Sequence, residues 1–228
     1  MSLEKYIRNK AKKHFVWKGI TIIQKDDFLN KISLKEILLR LEQTIPTHIL
    51  KNLDSIYIGE FDFLKKREMQ ASYDAGNIYL SNEHVSESDA CDDLVHEIGH
   101  AVEEAYTEII YYDDSLEKEF ISKRKSLWSL LKSEGINAPL TSFLETSYSF
   151  SFDNFLYKEI GYPMLSMLTV NYFYSPYAIT SLREYFANGF EAFFYHKDVE
   201  RLSKISPILL DKLKKILYLK EEDHRENV

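Results

Sequence analysis

Cysteine is nearly absent: Cys91 is the only one in 228 residues. That count excludes an intrachain disulfide and fits a reducing compartment. Long apolar runs are missing as well. The longest, Tyr162 to Tyr174, is broken by Pro163, Ser166, Thr169 and Asn171 and is too short and too polar to span a bilayer. Seven glycines and five prolines are scattered, with no repeat or low-complexity segment. Positive charge is in deficit, since 29 Lys and Arg face 36 Asp and Glu for a net charge of -7. No basic stripe with interleaved aromatics appears, which argues against a nucleic-acid partner. The basic first thirteen residues have no apolar run behind them and read as a solvated helix face, so no signal peptide is expected. The expectation is a cytoplasmic protein, or one exported without a classical signal.

What is present is a chain with 45% apolar residues, enough for a sizeable core. The pattern predicts a single domain over 1–228, with an N-terminal lobe at 1–53, a core at 54–219 carrying an insertion near 109–172, and a flexible tail at 220–228. A helix is expected near 2 to 13, a strand from Phe15 to Gln24, and an amphipathic helix from about Ser33 to Gln43. Ser55 to Phe61 alternates as a strand does, and Gln70 to Tyr73 with Asn77 to Leu80 flank a turn at Ala75-Gly76. Asn77 to Leu80 is the candidate edge strand for holding an extended peptide. Helical segments follow around Leu116 to Ser133, with breaks at Gly135 and Pro139. The aromatic stretch from Phe143 to Phe155 is core by default and a lid over a cleft as the functional alternative.

His96-Glu97-Ile98-Gly99-His100 carries the chemistry. On a helix, residues four apart share a face, so His96 and His100 can reach one ion with Glu97 beside the open position. Zinc accepts neutral imidazoles, and a hydrolytic site keeps three protein ligands and one water. Leu94, Ile98, Ala101, Val102 and Ala105 fall at helical spacing on the opposite side, as an apolar face. Ser86 and Ser88 are candidate N-caps, and Cys91 falls on the apolar side as a small hydrophobe.

A third ligand has to come from another element. The metzincin pattern fails, because its glycine and third histidine would stand at Glu103 and Tyr106. The best source is the segment Ser181 to His196, where Leu182, Tyr185, Phe186 and Phe193 make an apolar face and Glu184, Asn188, Glu191 and Tyr195 line the other. Ser181-x-x-Glu184 also reads as a capping box, in which Glu184 only reaches back to the Ser181 amide.

His96-Glu-x-x-His100-Ala-Val-Glu together with Glu184-Tyr-Phe-Ala-x-x-Phe resembles the catalytic domains of the anthrax lethal factor family and the related clostridial Pro-Pro endopeptidases, which are gluzincins. The resemblance implies that Glu184 is the third zinc ligand. It also implies that Tyr177, seven residues earlier, hydrogen-bonds the oxyanion, with Tyr174 as the reserve. Asn188 stands where the family has a second acid. The expected fold is α+β: a mainly helical zincin-like domain with a small mixed sheet whose edge strand borders the zinc cleft. The expected function is a zinc-dependent endopeptidase with one Zn2+ per chain, a metal-activated water, Glu97 as general base and a protein or peptide substrate. The alternatives are a non-catalytic, zinc-stabilised binding or toxin-accessory domain, and a zinc amidohydrolase with a non-protein substrate.

Overall fold

The computed structural model describes Glu4, Ile7 and residues 11–219. The helix expected near 2–13 falls largely outside that range, and Lys13 opens the first strand instead. The tail expected from 220 lies outside it too. The fold is α+β, with helices and an open five-stranded mixed sheet. Among the described residues no helix is long and apolar enough to cross a membrane. The chain divides into two compact units, Met1–Ala105 and Tyr106–Val228.

The first unit holds the sheet. Strands β1 (Lys13–Trp17) and β2 (Ile20–Gln24) form a hairpin, where a single strand was expected. The turn between them is Lys18-Gly19, with φ of 50° and 84°. Two successive positive φ values suit a two-residue hairpin turn, and glycine at the second position adopts one without strain. Helix α1 (Leu34–Thr44) follows, its N-cap Ser33 accepting the Glu36 amide, and it buries Leu34, Ile37, Leu38 and Leu41 at helical spacing. Next come β3 (Ser55–Gly59), the short helix α2 (Asp62–Lys66), β4 (Ala71–Asp74), β5 (Asn77–Ser81) and the long helix α3 (Glu87–Ala105).

The strand order is β1-β2-β3-β5-β4, with the central pairs parallel and the two outer pairs antiparallel. Asn77 to Leu80 is therefore an interior strand, paired with β3 on one side and β4 on the other, and the edge is β4. Its hairpin partner β4 closes off that side through the expected turn at Ala75-Gly76, φ 42° and 84°. Strand β3 is buried throughout, as a central parallel strand covered on both faces must be. Helix α3 packs on β4, β5 and α1.

The second unit is helical: α4 (Thr107–Tyr111), α5 (Ser115–Ser133), α6 (Leu140–Leu144), α7 (Phe150–Asn154) running into a π-helical turn at Phe155–Ile160, α8 (Tyr162–Thr169), a 3-10 turn at Tyr177–Ile179, α9 (Leu182–Phe194), α10 (Val199–Ile205) and α11 (Pro207–Leu217). The aromatic stretch divides. Phe143 and Phe152 are buried and meet edge to face at 5.0 Å, whereas Tyr148 and Phe150 are exposed.

A buried polar network ties α5, α9 and α11 together. Lys123 Nζ donates to Tyr185 Oη and to Ser206 Oγ at 2.7 Å. Tyr185 Oη donates to Glu119 Oε1 at 2.8 Å, and the same carboxylate accepts the Ile208 and Leu209 amides at 2.9 and 3.2 Å. Glu119 thus satisfies the first amides of α11, while the Ser206 side chain at its N-terminus serves Lys123. Burial pushes the Lys123 ammonium down to about 8, with Glu119 opposing the shift.

Two outcomes are expected. Between about pH 8 and about pH 10 the unfolded chain holds the Lys123 proton more tightly than the folded one, so stability rises with pH over that window. Thermal unfolding of the wild type should therefore gain on a Lys123→Met variant from about pH 7.5 to about pH 9.5. Gly189 of α9 faces Leu209 of α11 so closely that a Cβ would lie 2.2 Å from Leu209 Cδ2. Gly189→Ala should destabilise by about 1–3 kcal/mol in urea unfolding, against the ~1 kcal/mol that helix propensity favours alanine. The penalty should shrink in a Leu209→Ala background.

Candidate metal centre

Helix α3 starts as the sequence suggests. Ser86 is the cap, its Oγ accepting the Asp89 amide at 3.1 Å, and Asp89 returns the favour by accepting the Val85 amide at 3.1 Å. Leu94, Ile98, Ala101 and Val102 are buried, as is Cys91, which behaves as the expected small hydrophobe. His96 and His100 stand one turn apart with ring centroids separated by 5.0 Å and planes at 86°. His100 is 5% exposed. Its Nδ1 lies 3.7 Å from Glu103 Oε2, so Nε2 is the nitrogen turned away from that carboxylate. A carboxylate behind one ring nitrogen orients the other toward an ion. Imidazoles are donors that zinc accepts.

Glu97, between the histidines in sequence, is 7% exposed. Its Oε2 accepts the amide of Tyr73 on β4 at 2.7 Å, a buried charge-assisted bond. The register explains why that amide is there. The pair Asp74–Asn77 closes the two-residue turn, and hydrogen-bonded pairs alternate from it, so the pair Tyr73–Ile78 directs Tyr73's main chain away from β5 and toward the open edge. The edge strand expected beside the cleft is thus joined to the expected general base, although it is β4 and not β5. Tyr73 Oη accepts the Gly76 amide at 3.0 Å and donates to Glu104 at 2.8 Å, which fixes the hairpin to the end of α3. The sequence carried no signal for Tyr73 beyond its position two residues before the turn.

In the second unit, Ser181 caps α9 by accepting the Glu184 amide at 3.1 Å. Tyr177 lies in the 3-10 turn ahead of α9, and burial pushes its phenol well above the ordinary 10, with the carboxylates of Glu184 and Asp153 adding to the shift and Tyr148 and Tyr162 contributing. The Glu184 carboxylate thus lies near enough to Tyr177 to act on its phenol. Tyr148 donates to Asp153 at 2.8 Å and Tyr162 donates to its other oxygen at 3.4 Å, so three phenols gather around one acid.

Asn188 holds this corner in place. Its Oδ1 accepts from Ser175 Oγ, its Nδ2 donates to the Glu184 carbonyl at 2.9 Å, and Ser175 Oγ accepts the Ala178 amide at 3.3 Å. The amide at the position where a second acid was expected thus ties the turn bearing Tyr177 to the helix bearing Glu184. Ser175 escaped sequence reasoning; the Ser-Pro pair just before Tyr177 was the available signal. Tyr174 stacks on His196 and under Arg201, at 6.1 and 4.6 Å, and belongs to that contact.

Compared with family models, with curated proteins and with solved structures, the chain matches none.

The half-buried Tyr177 phenol should stay protonated past the pH at which an ordinary tyrosine ionises. Phenolate absorbance of the wild type minus that of Tyr177→Phe should show no step near pH ~10. A step there would place Tyr177 in open water.

Proposed function

We propose that the protein is a zinc-dependent endopeptidase, with His96, His100 and Glu184 as ligands to one Zn2+ per chain. The observation that carries the reading is the placement of Glu97: a nearly buried carboxylate beside a histidine pair, hydrogen-bonded to the main chain of an edge strand. Such an edge is where an extended peptide can pair by strand addition. Zinc held by two imidazoles and a carboxylate would supply Lewis-acid polarisation of a carbonyl and acidify a water. Glu97 takes the proton of the attacking water and passes it to the leaving amine. Tyr177, kept neutral by its surroundings, donates its phenol hydrogen to the oxygen on which charge develops. The resemblance to the lethal factor family and the Pro-Pro endopeptidases supports the same assignment of Glu184 and Tyr177, and the Ser181 side chain caps α9 without needing the Glu184 carboxylate.

Metal content and cleavage test this separately. The native chain should bind about one zinc with an affinity that falls ~10–100-fold in Glu184→Ala. Glu97→Gln should keep the zinc and lose cleavage of an unfolded protein such as casein by at least ~100-fold. Unchanged zinc affinity in Glu184→Ala returns that residue to a capping role, and full cleavage by Glu97→Gln removes the mechanism.

A further inference from the structure

The opposite edge of the sheet carries a second feature, independent of the histidine helix. Strand β1 is the outer strand on that side among the described residues, four strands across the sheet from β4. A groove of about 290 Å3 runs between β1 and α1, lined by Lys13, Phe15 and Trp17 on the strand and Leu34, Leu38 and Leu39 on the helix. Phe15 and Val16 are 38% and 67% exposed, which is unusual for apolar side chains on an edge strand, and Leu39 of α1 is 38% exposed beside them. Alternation along the strand explains the lining: residues 13, 15 and 17 share the face toward α1.

The main chain of β1 is arranged to accept another strand. Trp17–Ile20 closes the two-residue hairpin, so Phe15–Ile22 repeats its bonded geometry while His14 and Val16 direct their N–H and C=O groups outward. The charges decide what kind of strand fits. Lys18 sits 3.3 Å from Glu42 and neutralises the one acid in the lining. Lys13 and Lys35 on the rim form no ion pair among the described residues, leaving a basic rim on a chain whose net charge is -7.

We propose that β1 and the groove beside it form a docking site for an extended segment of a partner protein, with apolar side chains at alternate positions and acidic residues flanking them. The segment adds as a strand to His14 and Val16, sets its apolar side chains between Phe15 and Leu39, and places its carboxylates against Lys13 and Lys35.

The probes are two labelled nine-residue peptides with Thr at the even positions and Val at positions 3, 5 and 7, one carrying Glu and the other Lys at positions 1 and 9 of the same face (the Val–Glu and Val–Lys peptides), titrated with the full chain in fluorescence anisotropy. The Val–Glu peptide should bind at least ~10-fold more tightly than the Val–Lys peptide, an advantage that added salt reduces. Val16→Pro should abolish binding while leaving circular dichroism unchanged, since its outward amide makes no bond within the sheet and edge strands tolerate proline. A Lys13→Glu, Lys35→Glu double variant, which leaves the backbone untouched, should reverse the preference. Equal binding of the two peptides, no binding of either, or an unaltered preference in the double variant overturns the proposal. So does a concentration-dependent dimer of the protein alone that Val16→Pro dissolves, because the edge would then serve a second copy.

Discussion

A carboxylate almost wholly removed from water keeps its charge only when donors are aimed at it. For Glu97 the Tyr73 amide is one such donor, and much of the N-terminal unit can be traced back to that bond. The amide points outward because the Ala75-Gly76 turn fixes the register of β4 on β5. Strand β5 is held in turn by its parallel pairing with the fully buried β3. Helix α3 packs on β4 and β5 and buries Leu94, Ile98 and Val102. Its rotation about its own axis is set from both sides, by apolar packing and by the Glu97 bond. With that rotation fixed, the directions of His96 and His100 follow.

The second unit obeys the same rule with the opposite sign of charge. Lys123 is buried among aromatic rings, 4.5 Å from the Tyr185 ring centre, and is tolerable there because Tyr185, Ser206 and Glu119 surround its ammonium. Removing one member of such a set costs more than the set contributes, since the remainder is left buried and unpaired. The network reaches the candidate chemistry through α9. Tyr185 turns inward to it, so the adjacent Glu184 comes to the side of the helix about 100° away. One turn further on, Asn188 fastens Ser175 and with it the turn of Tyr177. The placement of a phenol thus depends on a lysine many residues earlier in the chain.

Local signals in the sequence were read well and distant ones were not. The amphipathic pattern of α1, the capping serine of α3, the turn at Ala75-Gly76 and the apolar face of the histidine helix each rest on residues within a few positions of one another. All of them appear as expected. The hairpin at Lys18-Gly19 was hidden because Phe15 to Gln24 is strand-forming on both sides of it, and a single glycine was the only interruption. The identity of the edge strand depends on which strand β5 chooses as its second neighbour, a long-range pairing with β3 that no local pattern carries. The Lys123 network joins residues 62 and 83 positions apart. Asn188 was legible as a departure from a family pattern, but its partner Ser175 lies on a different element.

Stability alone does not account for the polar residues that these helices bury. On α3, His96, Glu97 and His100 interrupt a surface that leucine or alanine would pack without desolvating any charge. In the second unit Tyr177 places a phenol among carboxylates where a phenylalanine would avoid their repulsion of the ionised form. Proteins that depart from local packing rules do so most often where chemistry requires it, and clustering of the departures separates that cause from drift. Here the departures are not scattered. Two imidazoles and a carboxylate share two turns of one helix, and a second carboxylate and a neutral phenol share one corner of another unit. Under the proposed reading the first set would hold a metal beside a base, and the second would add a ligand and a hydrogen-bonding acid.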